Sequence, residues 1–383
     1  MNYDLDKKKV VLGLSGGVDS TIAALLLKEQ GYEVTGLYFD ISEGNETGKA
    51  AAEKVASEAG IDFVYKNVHE EFYGTVVDNF CTEYISGRTP NPCIVCNPNV
   101  KFKTLTEYAD HIGAYYIATG HYGSSCYDEK TNSWYIRRGK NLKKDQTYML
   151  YRLPQEVISR FLMPLENLET KDETRRIADD AGMSNAHQKD SQEICFIPDD
   201  RTYLDLLNEM GYRAEPGNFI DLDGNVIGEH QGIVNFTVGQ RKGLGMTFGK
   251  PMFVLGLDNN NNTVTLGDNK DLFSNTVYSK NNFFTATGNG ALPEHFDGAE
   301  VEAKIRYAAR PAKAISLLLS IAAAPPAILS LISAVFFATV SIVSPLSSVV
   351  PTVPTLVPQL EQNCAPSNSS FPHFEQNIIC SSV

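Results

Sequence analysis

Leu14-Ser15-Gly16-Gly17-Val18-Asp19-Ser20 restricts the fold more than any other stretch of this 383-residue chain. An apolar run at residues 10–14 leads into it, and an apolar-periodic segment at 21–30 follows. That order predicts a strand, a tight glycine loop and a helix. Paired glycines let backbone N–H groups approach a ligand, Ser15 and Ser20 add hydroxyls, and a helix N-terminus favours an anion. The loop reads as a phosphate holder, set against the plainer reading of a glycine turn with no ligand. It is not a Walker A loop, because no Gly-Lys-Ser/Thr follows. Its glycine spacing is not that of the dinucleotide fingerprint either.

Downstream, short apolar or β-branched runs at 8–14, 33–39, 62–68 and 115–119 alternate with helical periodicity near 18–30, 48–59, 72–86 and 102–112. Alternation of this kind predicts an α/β fold, a doubly wound parallel sheet with helices on both faces. Ligands of such sheets bind beyond the carboxyl ends of the strands. The strand ends at 36–39 and 118–121 should therefore border the same crevice as the glycine loop. There Phe39 could stack on an adenine and Gly120 could admit a nucleotide closely, although ordinary strand-end packing explains both equally well. Residues 155–185 read as helical, with a capping signal at Thr170-Lys171-Asp172-Glu173. After about residue 205, turn signals at Asp223-Gly224 and 258–262 between short β-type runs predict small β domains.

Net charge is −13, so a nucleic-acid footprint would have to be local. Two stretches offer one. Residues 137–144 carry five cations in eight positions, and Gly239-Gln240-Arg241-Lys242-Gly243-Leu244-Gly245 forms a basic glycine-rich loop. A solvated hairpin accounts for either equally simply. Residues 2–9 are charged and show no secretion signal. Seven irregularly spaced cysteines fit a reducing cytoplasm, where thiols are catalytic, metal-binding or buried. Among them, Cys93 and Cys96 form a C-x-x-C in Arg88-Thr89-Pro90-Asn91-Pro92-Cys93-Ile94-Val95-Cys96, whose two prolines predict an extended, rigid loop. Cys195 stands alone in residues 190–196, and Cys81 and Cys126 read as core residues.

The glycine loop resembles the pyrophosphate loop of enzymes that split ATP into AMP and pyrophosphate. SGGVDS at 15–20, GRTPNPCIVCN at 87–97, KF at 101–102, ATGHY at 118–122, KDQTY at 144–148, SQEICFI at 191–197 and GQRKGLG at 239–245 together resemble the tRNA-uridine 2-sulfurtransferases, the tRNA 2-thiouridylases. The likeness spans about residues 1–312. It implies a pyrophosphate-loop ATP-binding domain over 1–205, a small central β-rich domain over 206–272 and the start of a C-terminal β-barrel over 273–312. The implied reaction is ATP-dependent replacement of the 2-oxygen of the wobble uridine by sulfur, through adenylation of that oxygen, with AMP and pyrophosphate released. ATP would lie at Gly13, Leu14, Ser15, Gly16, Gly17, Val18, Asp19, Ser20, Phe39 and Gly120, with Mg²⁺ offsetting the triphosphate charge. Cys195 would take a persulfide from a cysteine desulfurase or sulfur-relay partner, and Cys96 would resolve it, leaving a Cys96–Cys195 disulfide. The anticodon stem-loop of tRNA would meet Asn91, Pro92, Cys93, His121, Lys144, Asp145, Gln146, Arg306 and Tyr307, with the base withdrawn from its stack. No membrane association is expected. Other pyrophosphate-loop ligases and amidotransferases form the alternative, as does an impaired tRNA-binding product with a damaged C-terminus.

Two departures from the family pattern stand out. Many members place an aspartate where Cys93 stands, so a thiol would need a lowered pKa to do acid–base work. Alternatively Cys93, Cys96 and Cys195 would be three ligands of a [4Fe–4S] cluster. The second departure is the tail over 313–383. Lys313 is the last basic residue, only Glu361 and Glu375 carry charge beyond it, and 327–344 are all apolar or small. Prolines at 325, 326, 345, 351, 354 and 358 crowd that apolar run and basic residues do not flank its C-terminal side, which argues against a membrane span and for a frame-shifted, non-native tail. On that reading the strands closing the barrel are missing and its edges lie open.

Overall fold

The computed structural model describes residues 5–42, 44–188, 194–198, 200–273, 276–279, 282–285, 296–304, 312–319, 337–342 and 379–381. The chain opens with β1 (Asp6–Gly13), α1 (Val18–Glu29), β2 (Glu33–Asp40), α2 (Glu46–Ala59) and β3 (Asp62–Asn67). Next come α3 (His69–Phe72), α4 (Asp78–Ile85), α5 (Pro92–Cys96), α6 (Phe102–His111) and β4 (Ala114–Thr119). A hairpin of β5 (Ser124–Asp128) and β6 (Ser133–Arg137) precedes α7 (Gln155–Ile158), β7 (Phe161–Leu162) and α8 (Lys171–Asp180). Two compact units result: Met1–Asp78 with Pro92–Phe196 and Phe283–Leu292, and Asn79–Asn91 with Ile197–Asn282 and Pro293–Val383.

The first unit is built on a parallel sheet of order β3-β2-β1-β4-β7. Its strand faces alternate as the pleat requires. Val10, Leu12 and Leu14 enter a buried cluster with Ile22 and Leu27 of α1, Val55 of α2 and Ala178 of α8. Val11, Leu37 and Ile117 enter a second cluster with Phe102 and Leu105 of α6 and with Ile158 and Phe161. The strands are thus covered on both faces, as their apolar runs predict. Gly13 pairs with Leu37 on one side and Thr119 on the other, so β1, β2 and β4 end at one edge. The strand order reverses beside β1, the usual place for a ligand crevice.

The second unit contains α9 (Tyr203–Glu209) and a sheet of β8 (Gly217–Ile220), β9 (Val226–His230), β10 (Phe253–Asp258) and β11 (Thr263–Gly267), in the order β10-β11-β8-β9. Phe219 fills its centre against the rings of His230, Phe236 and Phe248. In this unit the segment before the C-x-x-C meets the residues just ahead of the glycine-rich basic loop. Thr89 Oγ1 lies 3.3 Å from Thr237 Oγ1, both residues being buried. A third sheet, order β12-β15-β14-β13-β16, joins β12 (Thr276–Ser279), β13 (Glu300–Lys304), β14 (Ala312–Leu319), β15 (Phe337–Ile342) and β16 (Ile379–Ser381).

Four sequence expectations are corrected. Residues 92–96 form a short helix rather than an extended loop, because Pro92 at its first position has no N–H to forfeit and a φ already near helical. The stretch 155–185 is not one helix: α7, β7, a 3₁₀ turn at Pro164–Asn167 and α8 share it. Its capping signal does hold, since Thr170 Oγ1 accepts from the Glu173 N–H at 3.1 Å. Cys126 is half-buried rather than in the core. The tail does supply strands. β14 pairs with β13 and β15, and β15 with β12, because ladders are made by backbone groups that loss of charge does not remove. Residues 337–342 of the apolar run are strand, and among the described residues no helix is long and apolar enough to cross a membrane.

Candidate active site

The glycine loop leaves β1 and enters α1 as its sequence predicts. Gly16 holds φ +79°, and a β-carbon there would press to 3.0 Å on the Ala52 nitrogen, so backbone conformation and packing both require glycine. Gly17 differs. Its φ is −81°, a β-carbon would meet only Ser15 Oγ at 3.5 Å, and α1 begins there with no side-chain cap. The first turn of the helix therefore has no side-chain cap and open space beside Gly17, the arrangement that receives an anion. Ser20 Oγ donates to the Gly17 carbonyl at 2.9 Å and lies 3.2 Å from Ser15 Oγ, which keeps both hydroxyls at the loop. Asn185 holds the loop from outside, donating to the Gly16 carbonyl at 2.7 Å and to Thr21 Oγ1 at 2.8 Å.

Asp19, in the first turn of α1, accepts from Tyr122 Oη at 2.8 Å and from Lys171 Nζ at 2.6 Å. The loop is thereby tied to the ATGHY segment and to the start of α8. Gly120 is explained by this contact: a β-carbon there would stand 2.8 Å from Asp19 C and Ser20 N. Its glycine lets two chain segments touch. Phe39, half-buried at the end of β2, packs against the α6-side cluster.

Cys93 and Cys96 lie three residues apart on α5, hence on one side of it. A π-helical turn at Asn97–Lys101 follows directly, and such turns mark functional sites more often than chance. Asn97 secures it, donating to the Met149 carbonyl at 2.8 Å. Cys195 sits beside Phe196, whose ring packs edge-on against Phe72 at 5.5 Å. None of the three is joined in a disulfide. Burial pushes the thiol pKa of Cys93 and Cys96 up, while the Lys101 ammonium pulls both down. Cys195 is open to solvent on one side yet ringed by protein. That desolvation first, and the neighbouring Cys93 and Cys96 next, push it up to about 12, again against Lys101. The three sulfurs and one ammonium thus share a single electrostatic neighbourhood. Among the described residues no group of three or more His, Cys, Asp or Glu could hold a metal ion.

His121 is buried at the end of β4, its ring stacked on Phe102 at 6.3 Å and its Nδ1 2.6 Å from Thr119 Oγ1. Burial, with Lys101 adding to it, lowers its pKa to about 3, so the imidazole is neutral. Asp145 is buried and accepts from Thr147 N and Thr147 Oγ1, while Gln146 exchanges hydrogen bonds with the Tyr122 backbone. Lys144 is half-buried; Arg137, Arg138, Lys140 and Lys143 are exposed, as are Arg241 and Lys242 of the other unit. Pro92 is the first residue of α5 and Asn91 precedes it. Arg306 and Tyr307 lie outside the described residues. Sequence reasoning did not single out Lys101, Asn185 or Lys171 as site residues. Lys171 stands 152 positions from Asp19, and no local pattern announces such a pair.

Residues 8–199 match the family model described as tRNA methyl transferase HUP domain, and residues 205–268 that described as tRNA methyl transferase PRC-barrel domain. The chain is 43% identical over 318 residues to the tRNA-specific 2-thiouridylase MnmA of Clostridioides difficile (strain 630), covering 80% of this chain and 86% of the relative. It is 45% identical over 322 residues to the protein of that name from Clostridium perfringens (strain 13 / Type A), covering 81% and 88%. Among solved structures, an NMN synthetase from Francisella tularensis overlays with a TM-score of 0.34 and 18% identity, covering 56% of this chain and 81% of that one.

Proposed function

This chain belongs to the tRNA-specific 2-thiouridylase family, and from that premise we propose that it is an ATP-dependent sulfurtransferase acting on the wobble uridine of tRNA. The observation that carries the reading is the pairing, within one unit, of an uncapped glycine loop with three reduced thiols around one lysine.

The chemistry follows from the weakness of the electrophile. A uracil 2-carbonyl resists substitution because oxide is a poor leaving group. Its oxygen attacks the α-phosphorus of ATP, the bridging P–O bond breaks onto pyrophosphate, and AMP becomes the group to be displaced at C2. The loop of 13–20 holds the phosphates, with Phe39 and Gly120 at the nucleotide. Asp19, a part-exposed carboxylate, would hold Mg²⁺ together with phosphate oxygens, an ion that offsets the triphosphate charge. Sulfur arrives on Cys195 as a persulfide from a donor protein. Cys96, as thiolate, attacks the inner sulfur, forming the Cys96–Cys195 disulfide and releasing the outer sulfur with its electron pair. That sulfur displaces AMP from C2, and a reductant then restores both thiols. Lys101 favours each thiolate against the cost of burial. Neutral His121, held by Thr119, presents an uncharged ring to the base. Exposed cations at 137–143 and 241–242 supply the local phosphate contacts that a net charge of −13 requires.

The test is nucleoside mass spectrometry on tRNA incubated with the chain, ATP and a persulfide donor. Cys96→Ser and Cys195→Ser should each abolish 2-thiouridine while retaining tRNA binding. Full thiolation by either variant would falsify the sulfur route.

A further inference from the structure

The Lys171–Asp19 ion pair has a position that stability alone does not explain. Asp19 lies in the first turn of the helix that begins at Gly17 without a side-chain cap. A carboxylate there repels any second anion unless a cation cancels it. Lys171 provides that cation. Its Nζ stands 2.6 Å from Asp19 Oδ1, with 15% of the lysine side chain and 28% of the aspartate exposed. The pair is anchored from behind. Tyr122 Oη donates to the same oxygen and lies 3.1 Å from Thr174 Oγ1 of α8, while Thr170 caps α8 at the residue before Lys171. The aspartate is fixed by its helix and by Tyr122. The ammonium, at the end of a flexible stem, is the member able to turn.

We propose that Lys171 is a substrate-binding residue that exchanges its Asp19 partner for the β- and γ-phosphates of ATP and neutralises the pyrophosphate as it departs. The inference rests on reading the 13–20 loop as the ATP site. When the uridine oxygen takes the α-phosphorus, the electron pair of the broken P–O bond settles on the β-phosphate. An ammonium at that end stabilises the developing charge and leaves the adenosine half untouched. Asp19 and pyrophosphate then compete for one cation, which gives the two residues opposite signatures.

Calorimetric titration of the full chain in EDTA, with inorganic pyrophosphate and separately with AMP, tests this. Lys171→Gln should weaken pyrophosphate by about tenfold or more and leave AMP within about twofold. Lys171→Arg, which keeps the charge, should restore most of the loss. Asp19→Asn should tighten metal-free pyrophosphate severalfold by removing the competitor. A lysine that merely braces the fold would weaken both probes together in Lys171→Gln, and that result, or pyrophosphate binding within twofold of wild type, would overturn the proposal. Lack of ATP binding by the wild-type chain would instead overturn the nucleotide reading on which it stands. Should Lys171→Gln not fold, Asp19→Asn decides: unchanged or weaker pyrophosphate binding there also overturns the exchange.

Discussion

Two glycines of the proposed nucleotide site should both lose ATP affinity on gaining one methyl group, but only one should lose stability. In Gly120→Ala the new β-carbon would stand 2.8 Å from Asp19 C and Ser20 N and 3.0 Å from Asp19 O, whereas ordinary contact begins at 3.4 Å. The obstructing atoms are backbone of the first turn of α1, so the loop must yield by about half an ångström, and overpacking of this kind costs about 1–3 kcal/mol. The loss should show without ligand, as a lower midpoint in urea at unchanged slope. ATP affinity should fall about tenfold as the N–H groups shift. Gly17→Ala meets only Ser15 Oγ at 3.5 Å, and its φ of −81° and ψ of 159° suit alanine. Its stability should stay within about 0.5 kcal/mol of wild type, because reduced freedom of the unfolded chain offsets a poorer cap. Its ATP affinity should nevertheless fall about tenfold or more, since the methyl fills the space before the uncapped helix. If Gly120→Ala unfolds like wild type and binds ATP equally well, the steric argument is wrong. If Gly17→Ala binds ATP normally, the phosphates do not lie where the loop implies.

Burial holds His121 neutral with a pKa near 3, against 6.5 for a free histidine. The unfolded chain therefore takes up a proton that the folded chain refuses. This histidine's contribution to stability is complete above pH 6.5 and is lost progressively as pH falls toward 3, by about 2 kcal/mol at pH 5. Denaturant titrations of wild type and His121→Gln should show that difference, and parallel pH dependences would contradict it. Cys195, pushed up to about 12, should react with iodoacetamide about tenfold faster for each pH unit between about 7 and 10, with no plateau near the usual thiol range. A rate that levels off by pH 9, read by peptide mass spectrometry, would show an ordinary thiol.

Most of the first unit was legible because period and order are local properties. The apolar runs at 8–14, 33–39, 62–68 and 115–119 correspond to β1 to β4, and the periodic segments between them to α1, α2, the α3–α4 region and α6. Failures came where a local rule met tertiary context. Prolines that favour extended chain start a helix at Pro92, and the short parallel strand β7 hides inside a stretch that reads as helix. The charge-poor tail pairs by backbone groups that composition does not report.

The seven motifs, in their order, determined the family, and they single out the glycine loop and the cysteines of the proposed site, since those depend on residue type and spacing. Tertiary structure decided which charges face them. Lys101 comes beside three thiols through a π-helical turn, and Lys171 reaches Asp19 across 152 positions through the packing of α8 on α1. Electrostatic energy depends on distance through space, and desolvation on everything packed nearby. Neither is written in the spacing of residues along a chain.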